Sequence, residues 1–179
     1  MTHGDPTFWL LARATGITAY VLVTASVVAG IVLASRTRGR LGPAARVELH
    51  KTLALTALGA IAAHALALTL DATVRIPPLA LAVPGLSPYR PVAVGAGVLA
   101  GWLLLVVVVS FRVRRRIGGR AWRRLHYATF ALFVLATIHG LAAGTDTARP
   151  WGQALYVASA GLVAFALSRR VLVRTRAVA

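Results

Sequence analysis

Two stretches of the chain decide the fold. Residues 50–64 read HKTLALTALGAIAAH, and residues 126–139 read HYATFALFVLATIH. Each stretch is mostly apolar and has a histidine at both ends, 14 residues apart in the first and 13 in the second. At about 1.5 Å of rise per helical residue, the two histidines of a stretch lie about 20 Å apart along the helix axis. Ionisable side chains inside apolar helices are costly in a bilayer and therefore indicate function.

The rest of the chain has the composition of a membrane protein. Of its 179 residues, 58% are hydrophobic and the mean hydropathy is +0.75, which is well above the values of ordinary soluble domains. Five apolar segments are long enough to cross a hydrocarbon core of about 30 Å. We therefore predict an all-α bundle of five transmembrane helices, forming a single domain over residues 1–179, with helices at about 8–34, 44–70, 92–111, 121–143 and 153–167.

The distribution of charge predicts the topology. The chain has 20 Lys and Arg residues against 4 Asp and Glu, a formal net charge of +16. Because the basic residues concentrate in the first and third loops and in the C-terminal tail, these parts are predicted to lie in the cytoplasm, with the N-terminus outside. The lipid bilayer is the expected partner, and nucleic acid is not, since the basic residues separate apolar runs instead of covering one face. The sequence has no cysteine, which excludes iron–sulfur clusters, thiolate ligation and disulfides.

Four of the five histidines form two pairs, and His3, before the first span, receives no role. The second and fourth predicted helices run in the same direction, so His50 lies beside His126 at an inner depth and His64 beside His139 at an outer depth. Each pair is able to hold one haem iron through two imidazoles, which suits electron transfer. Around the axis of an ideal helix, His50 and His64 are about 40° apart, whereas His126 and His139 are about 140° apart. Either the haems approach the fourth helix from different flanks, or that helix is locally distorted, and the sequence leaves both possibilities open.

Other interpretations of these residues compete with haem binding. Histidines inside a span also form interhelical hydrogen bonds or proton relays, although no carboxylate lies mid-span here. A shared zinc ion is disfavoured because the two pairs are too far apart. Haem propionates need cationic partners. Arg46, Lys51, Arg123 and Arg124 flank the inner pair, and of these Arg46 and Arg124 are our candidates. Near the outer pair lie Arg75, Arg90 and Arg149, and positive-inside topology is the simpler explanation for most of these arginines.

Two expectations concern the outer half of the bundle. The second loop, residues 71–91, contains five of the eight prolines, which predicts irregular structure over the outer mouth of the bundle. Trp102 falls in the third predicted helix, between the two histidine-bearing helices in sequence. From there its side chain is able to lie between the two haems and assist electron passage.

Four motifs resemble those of a known family. They are RATGITAY at residues 13–20, WRRLH at 122–126, HG at 139–140 and GTD at 144–146. Together with the histidine spacing, they resemble the ferric reductase-like transmembrane domain family, in a short bacterial form without a reductase domain. The resemblance covers nearly the whole chain. It implies a membrane cytochrome b with two haem b groups.

The resemblance also implies a ligand set and a function. His50 and His126 would bind the inner iron, and His64 and His139 the outer iron. Electrons would enter from a separate cytoplasmic flavoprotein reductase or from quinol, and would leave toward a ferric chelate, oxygen or a partner protein. The chain would then be the membrane component of an oxidoreductase in the bacterial cell (inner) membrane, with flavin present only through its partner.

The chain departs from the family in two respects. Fuller members have six helices where we predict five, and catalytic members carry a flavin and nicotinamide domain or work with a separate reductase. No glycine-rich dinucleotide-binding loop follows a predicted strand. A non-catalytic scaffold subunit of a redox complex is therefore the alternative hypothesis to an electron conduit.

Overall fold

The computed structural model describes residues 6–35, 41–72, 74 and 76–176. Every regular element in these residues is a helix, and five spans are long and apolar enough to cross a membrane, which confirms the predicted all-α multi-pass architecture. The elements are α1 (Thr7–Ala34), α2 (Pro43–Leu70), α3 (Pro78–Ala82), α4 (Pro91–Ile117), α5 (Gly119–His126), α6 (Ala128–Ala143) and α7 (Pro150–Arg176). Several residues used in the sequence predictions lie outside the described residues: His3, Arg36, Arg38, Arg40 and Arg75.

The bounds of α1 and α2 agree with the prediction to within one residue, but α4 and α7 are longer than predicted. The prediction ended these spans near residues 111 and 167, where arginines begin. In the structure α4 continues to Ile117 and α7 to Arg176. Arginine is a good helix former, so a charged segment at the membrane surface remains helical although it no longer contributes apolar surface.

Prolines and a glycine set the ends of several helices. Helices α2, α3 and α4 have proline in their first turn, and α7 begins at Pro150. Proline is favoured there because its fixed φ suits the helix and its missing N–H is not needed. Helix α4 ends at Gly118, whose φ of 81° is unfavourable for residues with a side chain. This turn lets α5 begin one residue later.

The helices pack as two close pairs. Helix α1 lies against α2, and α4 lies against α6, while α7 packs on α1. The histidine-bearing helices α2 and α6 have no comparable backbone packing against each other. The middle of the bundle is closed by apolar side chains, among which Ala57 is fully buried and Leu132 is 2% exposed. Apolar side chains therefore fill the middle of the bundle, and toward each end α2 and α6 remain separated from each other.

The two ends of the bundle differ in character. We name the end with the arginines of α4 and α5 the basic end, and the opposite end, where residues 71–90 connect α2 to α4, the loop end. The connection includes the short helix α3 and packs on α4, since Trp102 Nε1 donates a hydrogen bond to the Ala82 carbonyl (2.8 Å). A methyl group on Gly95 would lie 3.1 Å from Gly85 N, so the two backbones are close. The side chain of Trp102 is thus held by the connection at the loop end.

The fourth span is broken at Tyr127, between α5 and α6. The Tyr127 amide is shared between the Arg123 and Arg124 carbonyls (both 3.2 Å), and Phe130 N donates to Tyr127 O (3.1 Å). Such three-residue bonds tighten the turn. Of the two possibilities that the sequence left open for the fourth helix, the local distortion is present, one residue after His126.

Candidate functional site

The structure brings the four intramembrane histidines together in the predicted pairs. The ring centres of His50 and His126 are 6.0 Å apart and their planes meet at 74°. Those of His64 and His139 are 6.2 Å apart, at 79°. With a metal–nitrogen bond of about 2.1 Å and about 1.1 Å from nitrogen to ring centre, two imidazoles on opposite sides of one metal ion have centres about 6.4 Å apart. Both pairs therefore have the separation of two axial ligands.

Backbone carbonyls hold three of the four rings. His64 Nδ1 donates to the Ala12 carbonyl (2.7 Å) and His50 Nδ1 to the Ser26 carbonyl (2.9 Å). His139 Nδ1 donates to the Ala93 carbonyl (2.9 Å). A carbonyl oxygen only accepts hydrogen bonds, so the hydrogen is on Nδ1 and the lone pair is on Nε2. Histidines that bind metals are usually held by such a bond, which fixes the ring and raises its basicity.

A glycine four residues after each accepting carbonyl makes room for the ring. A methyl group on Gly97 would lie 2.5 Å from His139 Nδ1, and one on Gly16 would lie 3.0 Å from the His64 ring. At Gly30 the corresponding distance to His50 is 3.1 Å. These separations are shorter than a carbon side chain tolerates without displacing its neighbour. Three histidines thus share one arrangement, a carbonyl and a glycine one helical turn later on the adjacent helix.

The arrangement on α1 repeats with the period of the histidines on α2. The accepting residues Ala12 and Ser26 are 14 residues apart, as are Gly16 and Gly30. Because α1 and α2 pack antiparallel, a step of 14 along one helix matches a step of 14 along the other. This matched period was present in the sequence, but it becomes recognisable only when the register of α1 against α2 is known.

His126 is held differently from the other three. Its Nδ1 and the indole Nε1 of Trp122 are buried and have no hydrogen-bond partner in the described part of the chain. The Trp122 ring stacks on the His126 ring, with centres 5.0 Å apart at 27°, and Phe111 packs edge-on against Trp122 at 6.2 Å. Because His126 and His139 are 13 residues apart, the position on α4 that corresponds to Gly97 is residue 110, which is serine and not glycine. Aromatic stacking therefore replaces the carbonyl and glycine at this ring.

Each pair borders its own cavity. The loop-end cavity is about 420 Å³ and includes His64, His139 and Gly97 in its wall, together with Trp102. The basic-end cavity is about 210 Å³ and includes His50 and His126. The larger volume lies within the usual range of cofactor pockets, about 300–1,000 Å³, and the smaller lies below it. Both walls are mainly apolar, which excludes water from whatever the imidazoles bind.

An ion pair closes the rim of the loop-end cavity. The Arg13 guanidinium binds both carboxylate oxygens of Asp146, and Arg149 Nε lies 3.5 Å from the same carboxylate. The indole rings of Trp9 and Trp151 lie 5.2 and 5.9 Å from the Arg13 guanidinium carbon. No local pattern indicates a partner for Arg13, because the tertiary fold joins it to a residue 133 positions away.

The basic-end cavity has two arginines in its wall, Arg123 and Arg170. Arg123 is one of the cations that the sequence places beside the inner pair, whereas Arg170 was not predicted for this role. Arg46 and Arg124 are not among the described residues that line the cavity, and Arg46 Nε donates to the Leu41 carbonyl (2.8 Å). At the loop end, Arg90 donates to the Ala142 carbonyl. That Arg46 and Arg124 contact a cofactor stays a prediction.

The donor set fits haem better than a bare metal ion. Within the described residues there is no group of three or more His, Cys, Asp or Glu side chains arranged to hold an ion. A porphyrin supplies four nitrogens itself and needs two axial ligands at most. Each cavity is bordered by two imidazoles at the required separation, and three of the four rings have Nε2 free to bind a metal, which matches that need.

Comparison with known proteins gives a family but no activity. No curated protein and no solved structure is significantly similar to the chain. One family model matches residues 7–146, which include all four intramembrane histidines and the Arg13–Asp146 pair. The match covers most of the chain, and the protein therefore belongs to the family described as domain of unknown function DUF8596.

Proposed function

We propose that this protein is a di-haem cytochrome b that carries electrons across the membrane. The observation that carries the proposal is the geometry of the two imidazole pairs, whose ring centres are 6.0 and 6.2 Å apart. Three of the four rings also have Nδ1 bound to a carbonyl, which leaves Nε2 as the ligating atom. Three of the rings do form interhelical hydrogen bonds, through Nδ1 to backbone carbonyls, but these bonds do not require the rings to face one another in pairs.

The haem groups supply one-electron chemistry, in which the iron alternates between the ferric and ferrous states. The residues of the chain hold and shield these groups. His50 and His126 would bind one iron, and His64 and His139 the other. The apolar cavity walls exclude water, and the packed layer around Ala57 and Leu132 separates the two sites. A short distance between two fixed sites is what electron transfer across a bilayer requires.

The direction and the partners follow from topology and from the resemblance to ferric reductase-like proteins. We place the basic end in the cytoplasm, because arginine-rich loops remain on that side, and the chain in a bacterial inner membrane. The donor would be a separate flavoprotein or quinol at the basic end. The acceptor at the loop end would be a ferric chelate, oxygen or a partner protein, so the chain is the membrane component of an oxidoreductase.

Proteoliposomes test whether the protein conducts electrons or serves only as a scaffold. The haem-loaded protein is reconstituted into vesicles that contain a trapped ferric chelate, and dithionite is added outside. We expect the trapped chelate to be reduced by vesicles with the wild-type protein. Vesicles with the His64→Ala/His139→Ala variant should reduce the trapped chelate no faster than protein-free vesicles do. Equal rates for this variant and wild type would overturn the proposal and favour the scaffold.

A further inference from the structure

The two cavities differ in the charges at their walls. Among the described lining residues, the basic-end cavity has Arg123 and Arg170 and no carboxylate, a formal charge of +2. The loop-end cavity has Arg13, Asp71 and Asp146 in its wall, and Arg149 lies 3.5 Å from the Asp146 carboxylate, so two positive and two negative charges cancel there. Asp71 is 4% exposed, and its Oδ1 is buried without a hydrogen-bond partner among the described residues. The basic-end histidine pair thus has the more positive surroundings.

The histidines themselves differ in the same sense. Both loop-end rings donate Nδ1–H to a carbonyl. At the basic end His50 does so, whereas His126 has no such partner among the described residues. A carbonyl acceptor makes an imidazole a stronger electron donor to its metal. Stronger donation stabilises the ferric iron, so the loop-end site favours the oxidised state more than the basic-end site does.

Both differences act in one direction when an electron is added. Reduction of a ferric haem adds one negative charge and breaks no bond. Nearby arginines stabilise that charge and nearby carboxylates oppose it, and both effects are strengthened by a low-dielectric surrounding. The net positive charge at the basic end and the two carbonyl-bound rings at the loop end therefore separate the reduction potentials of the two sites.

We propose that the positive charges of Arg123 and Arg170 make the basic-end haem the first of the two to be reduced. The inference rests on the proposed function and adds an order of reduction to it. An electron that reaches the basic-end haem is held there, and its passage to the loop end runs against the difference in potential. A membrane potential that is negative at the basic end drives the electron outward and so offsets this difference.

The experiment is a potentiometric reduction of the purified di-haem protein, followed by absorbance. Pyridine haemochrome quantitation comes first, and two haems per chain establish that the proposed function holds before the order is tested. The wild type should be reduced in two steps. Variants that keep one histidine pair assign the two steps. His139→Ala keeps the basic-end pair and should retain the higher-potential step. His50→Ala keeps the loop-end pair and should retain the lower-potential step. The reverse assignment would overturn the inference while leaving the proposed function intact.

Neighbouring arginines provide matched controls. In Arg123→Gln/Arg170→Gln, the potential of the higher step should move toward that of the lower step. When half of the haem is reduced, the amount of reduced basic-end haem relative to reduced loop-end haem should therefore fall severalfold. Arg115→Gln/Arg116→Gln removes the same charge from exposed residues of the same end that do not line the cavity, and both steps should show only a small, equal shift in potential. Equal effects of the two double variants, or movement of the lower step alone, would contradict the role of Arg123 and Arg170.

Discussion

The two histidine sites use the same ligands but different supports. At the loop end, both rings are fixed by backbone carbonyls and lie over glycines, and the cavity is about 420 Å³. At the basic end, His126 relies on the stacked Trp122, and the cavity is about 210 Å³. The difference teaches that histidine spacing determines which rings meet, whereas residues on α1 and α4 determine how firmly each ring is held.

The largest expected effect is at Gly97. In Gly97→Ala, the new methyl group would lie 2.5 Å from His139 Nδ1 and 2.7 Å from Cγ, so the ring must leave its position and its bond to the Ala93 carbonyl. We expect loss of most loop-end haem, from two haems per chain to about one, by pyridine haemochrome quantitation. Gly59→Ala is the control, since its methyl group would meet nothing within 4 Å and Gly59 lines neither cavity. Full haem content in Gly97→Ala would show that the close approach is not required for binding.

The Asp146→Ala variant tests the ion pair that closes the loop end. The Arg13 and Asp146 side chains are 25% and 13% exposed, so removal of the carboxylate leaves a largely buried cation unpaired. We expect a loss of about 1–3 kcal/mol in unfolding free energy in detergent. The basic-end pair of Lys51 and Glu48 is far more exposed, at 39% and 67%, and Glu48→Gln should cost less than about 0.5 kcal/mol. Equal costs would mean that burial does not distinguish the two pairs.

The stacked indole is the support peculiar to the basic end. In Trp122→Leu, His126 loses the ring that lies 5.0 Å from its own, and no carbonyl bond replaces it. We expect a fraction of the basic-end haem to be lost and the low-spin spectrum of the remainder to broaden, while Trp122→Phe retains most of both. The loop-end haem should be unaffected in either variant. A change in the loop-end signals instead would place Trp122 outside the basic-end site.

The smallest effect is expected at Gly30. A methyl group there would lie 3.1 Å from His50 Cε1, a few tenths of an ångström too close, so a small ring shift accommodates it. Gly30→Ala should keep two haems per chain and show only a modest shift of the basic-end absorbance maximum. Gly59→Ala, whose methyl group meets nothing within 4 Å, is the unperturbed control. Haem loss as large as in Gly97→Ala would remove the distinction drawn between the two glycines.

The sequence predicted the elements whose signal is local. Apolar runs of membrane-spanning length gave the five spans, and parallel direction with matched spacing gave the pairs His50–His126 and His64–His139. The angular mismatch on the fourth span also indicated a possible distortion, which the structure has at Tyr127. In each case a property of one helix, or of two helices with known direction, was sufficient.

What the sequence did not predict depends on the register between helices. The glycine and carbonyl arrangement requires the depth at which α1 meets α2, and the Arg13–Asp146 pair joins residues from opposite ends of the chain. Arg123 and Arg124 are equivalent by sequence, yet only Arg123 lines the cavity, because the face of α5 is set by the turn at Gly118. Trp102 was a candidate for the space between the haems. Its indole donates to the Ala82 carbonyl and its side chain borders the loop-end cavity, so a role in electron passage stays a prediction.

The central claim is that the four histidines hold two haems, and haem stoichiometry tests it most directly. Pyridine haemochrome quantitation of the purified protein should give two b haems per chain in the wild type and in His3→Ala. One should remain in His64→Ala/His139→Ala and in His50→Ala/His126→Ala, and none when all four are replaced. A wild-type protein without haem, or a haem content unchanged by these substitutions, would contradict the account.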